Sequence, residues 1–161
     1  MDPISLILQF LIFTLLAGLV AAAAMDGAMY LISRTGFTNG TMTTALGSLF
    51  TRSMETANVV GWFIHGVSGV LFAMIYTLLF MAFGLESGLA CLAAGLGIGF
   101  LHGIVVSIML VMVVSEHHPI EHFRNAGMQV GLAHLAGHLA YGAVVGAVIG
   151  ISGFAGRVAG L

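Results

Sequence analysis

The chain contains no lysine: its four basic residues are Arg34, Arg52, Arg124 and Arg157, set against six acids. Charged residues fill 6% of the 161 positions, where soluble domains carry about 25%. So few charges cannot cover a water-facing surface, which excludes an ordinary soluble domain. Four scattered arginines also form no basic stripe, which excludes a nucleic-acid partner. The single cysteine, Cys91, permits no internal disulfide and no paired-cysteine metal motif. Set in an apolar run, it reads as a small packing residue. With only two prolines, Pro3 and Pro119, long stretches are free to stay helical. There is no phosphate-binding Walker loop, no H-E-x-x-H zinc motif and no Ser or Cys nucleophile motif, so no enzymatic activity is indicated. Gly95-Leu96-Gly97-Ile98-Gly99 imitates a nucleotide fingerprint, but no strand precedes it.

What the chain does have is apolar length, with 60% hydrophobic residues. About 20 helical residues cross a bilayer core, and four runs are long enough. The pattern predicts an all-α integral membrane four-helix bundle, one transmembrane domain over 1–161, with its spans at about 4–33, 58–83, 88–114 and 127–151. Its solvent is the lipid bilayer. Ala21-Ala22-Ala23-Ala24 imitates a signal cleavage site, but no basic residue precedes the run, so it reads as an uncleaved first span. Asp2 is suited to cap that helix and Pro3 to open it.

Between the first two spans, Met42, Ala45, Leu46, Leu49 and Phe50 recur at helical spacing. This predicts a short amphipathic helix lying on the membrane interface. The tight Gly84–Ser87 turn predicts that the second and third spans are antiparallel neighbours. In the third connection Pro119 is placed to open a short helix, which would put His118 and His122 on one face. Gly95, Gly99 and Gly103, and again Gly142, Gly146 and Gly150, recur every four residues, a spacing that lets a partner helix approach closely. The first and third connections share one side, the loop face. They hold three of the four arginines, which assigns that face to the cytoplasm of a prokaryotic inner membrane.

Seven histidines punctuate this apolar chain. His65, His102, His134 and His138 fall inside spans, and Asp26 is the one acid that does. Each would cost a few kcal/mol if left alone in hydrocarbon. Counting at ~1.5 Å per residue from the loop face puts His65 and His134 roughly 10 Å deep, Asp26 about 10–12 Å, and His102 and His138 roughly 16–18 Å. Five polar groups from four helices therefore share one leaflet. The other leaflet, with Leu15, Leu79, Phe80, Leu92 and Val145, is apolar. His117, His118 and His122 crowd the third connection.

This arrangement leaves several readings open. Neutral imidazole is the commonest metal ligand, so His65, His102, His134, His138 and Asp26 could hold copper, zinc or iron, with His117, His118 and His122 collecting metal at the mouth. Alternatively two imidazoles hold haem b, either His65 with His134 or His102 with His138. A His/Asp chain could also move protons, or the rings could serve only as hydrogen-bonding members of a helix interface. At the level of function this gives a metal- or haem-binding membrane protein for redox or metal handling, or a non-catalytic accessory subunit of a larger membrane complex. A homo-oligomer is compatible with either.

Three phrases carry a family likeness: the run from Gly61-Trp62-Phe63-Ile64-His65-Gly66 on to Tyr76, Gly99-Phe100-Leu101-His102-Gly103, and Ala133-His134-Leu135-Ala136-Gly137-His138-Leu139-Ala140-Tyr141-Gly142. With these the chain resembles a family of small four-helix inner-membrane proteins of bacteria and archaea, related to the YagU-like proteins. The resemblance implies the four-span fold and one histidine in each of the last three spans, matching His65, His102 and His138. It implies no activity. The Glu116–His122 segment is richer in histidine than the family pattern.

Overall fold

The computed structural model describes residues 2–38, 42–124 and 127–159. Asn39, Gly40 and Thr41 of the first connection, Asn125 and Ala126 of the third, and Gly160 and Leu161 of the Gly-rich tail lie outside the described residues. Those described are mainly helical, with no strand among them. Four helices are long and apolar enough to cross a membrane.

Helix α1 (Pro3–Arg34) starts as its sequence dictates. The Asp2 carboxylate accepts from the Ser5 N–H at 2.9 Å, and Pro3 occupies the first turn. Helix α2 (Met42–Thr51) fills much of the first connection. It is the short helix that the spacing of Met42, Ala45, Leu46, Leu49 and Phe50 predicts. It lies against the start of α3 (Ala57–Ala82), because Gly47 and Gly61 bring the two backbones into contact at Ala57 and Thr43. Gly84, at φ +60°, turns the chain after α3. Ser87 then caps α4 (Gly88–Met109) by accepting from Ala90 N–H at 3.1 Å.

The α4 rod runs on through a π turn (Leu110–Val114) into a last α-helical turn, α5 (Ser115–His117). His118 is extended, and a 3₁₀ turn covers Glu121–Phe123. The expected short helix opening at Pro119 therefore does not form, and His118 and His122 share no helical face. Helix α6 (Met128–Ser152) ends at Gly153 in the left-handed conformation. The short α7 (Phe154–Ala159) follows, with Phe154 buried against Phe10 and Phe13.

Close contact runs in the order α3–α1–α6–α4, with α2 on the outside of α3. The two glycine ridges form one seam. A Cβ on Gly95 would strike the Gly142 carbonyl, and one on Gly99 the His138 carbonyl at 2.6 Å. Cys91 sits in the same seam, as a packing residue, against Gly146 and Gly150. By contrast α3 and α4 touch only sparsely. The short turn predicted neighbours, but the seam commits α4 to α6 while α1 and α2 hold α3. The side between α3 and α4 is left open.

Candidate functional site

That open side is a cavity of about 680 Å³, within the range of roughly 300–1,000 Å³ typical of ligand and cofactor pockets. Its floor and walls come from three helical stripes. His65, Gly69 and Phe72 line it from α3, His102, Val106 and Met109 from α4, and Val130, His134, His138 and Tyr141 from α6. Each set follows the i, i+4, i+7 or i+8 spacing that keeps side chains on one helix face. Toward the loop face the cavity is lined by α2 and by His118, His122 and Phe123.

The imidazoles are oriented in two opposite ways. His134 is 4% exposed and His138 6%. The Nδ1–H of each donates to the backbone carbonyl one turn back, at 2.8 Å, to Val130 and His134 respectively. A carbonyl can only accept, so the proton is on Nδ1 and Nε2 keeps its lone pair. His134 Nε2 is buried with no hydrogen-bond partner. A histidine anchored through one nitrogen and free at the other is how protein ligands are presented to metals.

His102 differs. Its Nδ1 lies 3.1 Å from the Tyr76 hydroxyl, and Tyr76 is 1% exposed. That buried O–H needs an acceptor, and His102 Nδ1 is the one it has among the described residues. Tyr76 therefore donates, and His102 carries its proton on Nε2. The His102 ring stacks on Phe72 at 4.1 Å and meets His138 edge-on at 4.6 Å. Tyr76 and Tyr141 meet edge-on beneath them, and Tyr141 O–H donates across to the Gly69 carbonyl.

His65 Nε2 faces Asp26 Oδ2 at 3.5 Å, and neither atom makes a hydrogen bond. The three unpartnered buried side-chain atoms among the described residues are thus Asp26 Oδ2, His65 Nε2 and His134 Nε2, contributed by α1, α3 and α6. Asp26 and His65 answer each other as an ion pair, so His134 Nε2 is the one of the three with no polar counterpart among the described residues; an unpaired polar atom in an apolar interior costs about 1–3 kcal/mol.

The sequence-predicted residues divide accordingly. His65, His102, His134 and His138 all line one cavity, with His118 and His122 nearer its mouth. Asp26 reaches the site through His65. His117 is exposed and outside the lining, its Nδ1–H donating to the Val113 carbonyl at 3.0 Å. The loop histidines therefore form no common metal-collecting mouth. Phe72 and the proton-donating role of Tyr76 were missed in the sequence, although the His65–Gly69–Phe72–Tyr76 spacing marks one continuous face.

Among the described residues no three His, Cys, Asp or Glu side chains gather closely enough to hold a metal ion. The His102–His138 haem pairing fails on space, because the two rings touch and leave no gap for a macrocycle between them. No family model, curated protein or solved structure matches the chain.

Proposed function

We propose that this is a four-span protein of the prokaryotic inner membrane, with its loop face toward the cytoplasm, that binds haem b in the cavity between α3 and α4. His134 would hold the group through Nε2, and His65, on α3, is the candidate for a second donor. The observation that carries this reading is the His134 ring, anchored through Nδ1, with a buried and unpartnered Nε2, in the wall of a largely apolar cavity of cofactor size. A bare copper, zinc or iron ion needs three or four protein donors. Haem brings four nitrogens of its own and asks the protein for one or two, which suits this site better.

The test is an absorption spectrum of protein purified after growth with a haem supply, and again after titration with hemin. A Soret band is expected, retained in His102→Leu and lost in His134→Ala. Stoichiometric copper, zinc or iron with no Soret band would replace haem with a bare metal. A colourless, metal-free protein that purifies only with larger partners would establish the accessory-subunit reading instead.

A further inference from the structure

The mouth of the cavity is roofed by two connections far apart in sequence. Helix α2 supplies Met42, Ala45, Leu46 and Leu49, and the turn after α5 supplies His118, His122 and Phe123. The two meet at one side chain. His118 is 1% exposed. Its Nε2 faces the Ala45 carbonyl, which can only accept, so Nε2 carries the proton; Nδ1 then accepts from the Ile120 N–H at 3.1 Å, with the Ile120 carbonyl at 3.2 Å beside it. The Nε2–H donates to the Ala45 carbonyl at 3.1 Å, across 73 residues of chain. Phe123 packs edge-on against the ring at 4.9 Å, and Arg124 Nε donates to the His118 carbonyl at 2.7 Å.

Either side of this bond is anchored differently. Helix α2 is held to α3 through the backbone contacts at Gly47 and Gly61. The His118 turn hangs from the end of the α4 rod, just after the π turn at Leu110–Val114. Such turns commonly mark functional sites inside helices. Here Leu110 and Val114 line the cavity themselves, so a change of register in the turn would move the roof and the wall together. Because α3 and α4 touch so little, the His118–Ala45 bond is a main link between the α1–α2–α3 half and the α4–α6 half on the open side.

We propose that His118 is the latch of this cavity. Its bond to Ala45 holds the loop-face roof in place over the occupant, and its release opens a second way into the cavity, from the loop face. Both ring nitrogens are engaged in holding the roof, so His118 is not a metal collector. The latch acts on any occupant; only the occupant's identity rests on the haem reading.

The test uses the full chain in proteoliposomes, with Cys91→Ala and Ser68→Cys, since Ser68 lines the cavity. The readout is the rate at which a polar maleimide labels Cys introduced at 68. His118→Ala is expected to raise that rate about tenfold, the equivalent of losing one buried hydrogen bond. His118→Gln, whose amide can still donate to Ala45, is expected to stay within about threefold of the parent on the same scale. Equal rates in the parent and His118→Ala, or equal rates in Ala and Gln, would overturn the latch. Should His118→Ala not fold, hydrogen exchange on the parent decides. The amides of α2 and of residues 118–124 should open together, and independent opening overturns the proposal. A colourless protein would sink the haem reading and leave all of these rates unchanged.

Discussion

Two sides of α4 are built in opposite ways. Toward α6 it presents Gly95, Gly99 and Gly103, and the partner answers with Gly142 and Gly146, so that backbone meets backbone. Toward α3 it presents His102, Val106 and Met109, and the partner answers with Phe72 and Tyr76. Small residues close the first side, because without side chains the helices approach until dispersion between their backbones holds them. Rings prop the second side open, and the stack of Phe72 on His102 fixes the gap. The cavity is therefore a consequence of the seam. The seam holds α4 against α6, while the His102 and Phe72 rings hold it off α3.

The comparison breaks most visibly at the seam. A Cβ on Gly142 would run into the Gly95 carbonyl and approach Gly99 Cα at 2.9 Å, and neither backbone group can rotate away. Gly142→Ala is expected to lose about 3 kcal/mol, the upper end of the usual cost of overpacking, as read by reversible unfolding in mixed micelles. A loss under about 1 kcal/mol on that scale would mean the seam gives easily, and that the cavity is not its consequence.

The opposite side should accept bulk. Val106 lines the cavity and is only half-buried, so Val106→Phe has space to fill. It is expected to change stability by less than about 1 kcal/mol while cutting hemin affinity about tenfold, since the added ring takes volume from the occupant. A single methyl on one side would thus do more harm to the fold than a whole ring on the other. If hemin binds equally well to Val106→Phe, the ligand does not lie against α4.

The sequence made much of this readable, for reasons that can be named. Span positions came from apolar length, which tolerates no substitute, and the helices observed differ from the expected ends by a residue or two, apart from α4, whose rod continues to His117. The sharing of one region by His65, His102, His134 and His138 followed from counting depth at a fixed rise per residue. Which helices would touch was less legible. Gly84–Ser87 says that α3 and α4 are joined, but a short turn constrains only its own ends, and the choice of partner was made by glycines 40 to 60 residues apart. The ring tautomers were not legible at all. They depend on whether Nδ1 meets a carbonyl, as in His134, or a hydroxyl, as in His102, and that requires coordinates.

A smaller effect sharpens the floor of the cavity. Tyr141 reaches from α6 to the Gly69 carbonyl on α3, one of the few polar ties between these helices. Tyr141→Phe keeps the edge-on ring contact with Tyr76 and removes only the hydroxyl. The expected cost is about 1 kcal/mol, in line with interhelical hydrogen bonds in apolar surroundings. The same unfolding measurement reads it. A cost near that of Gly142→Ala would make the hydroxyl, and not the glycine seam, the principal tie of α6 to its neighbours.

The smallest effect is a control carried by the same helix. Gly97 lies on α4 between Gly95 and Gly99, but faces away from the seam, and a Cβ there would meet nothing within 4 Å. Glycine gives the unfolded chain more freedom than alanine does, and weakens a helix interior by roughly 0.5–1 kcal/mol. Gly97→Ala is therefore expected to stabilise the protein by about 0.5 kcal/mol, opposite in sign to Gly142→Ala although the added group is identical. Position on the helix, and nothing about glycine as such, would then decide the outcome. A loss at Gly97 comparable to the loss at Gly142 would show that the outward face of α4 is also in contact, with a second copy of the chain or another protein, and that α4 has a third side.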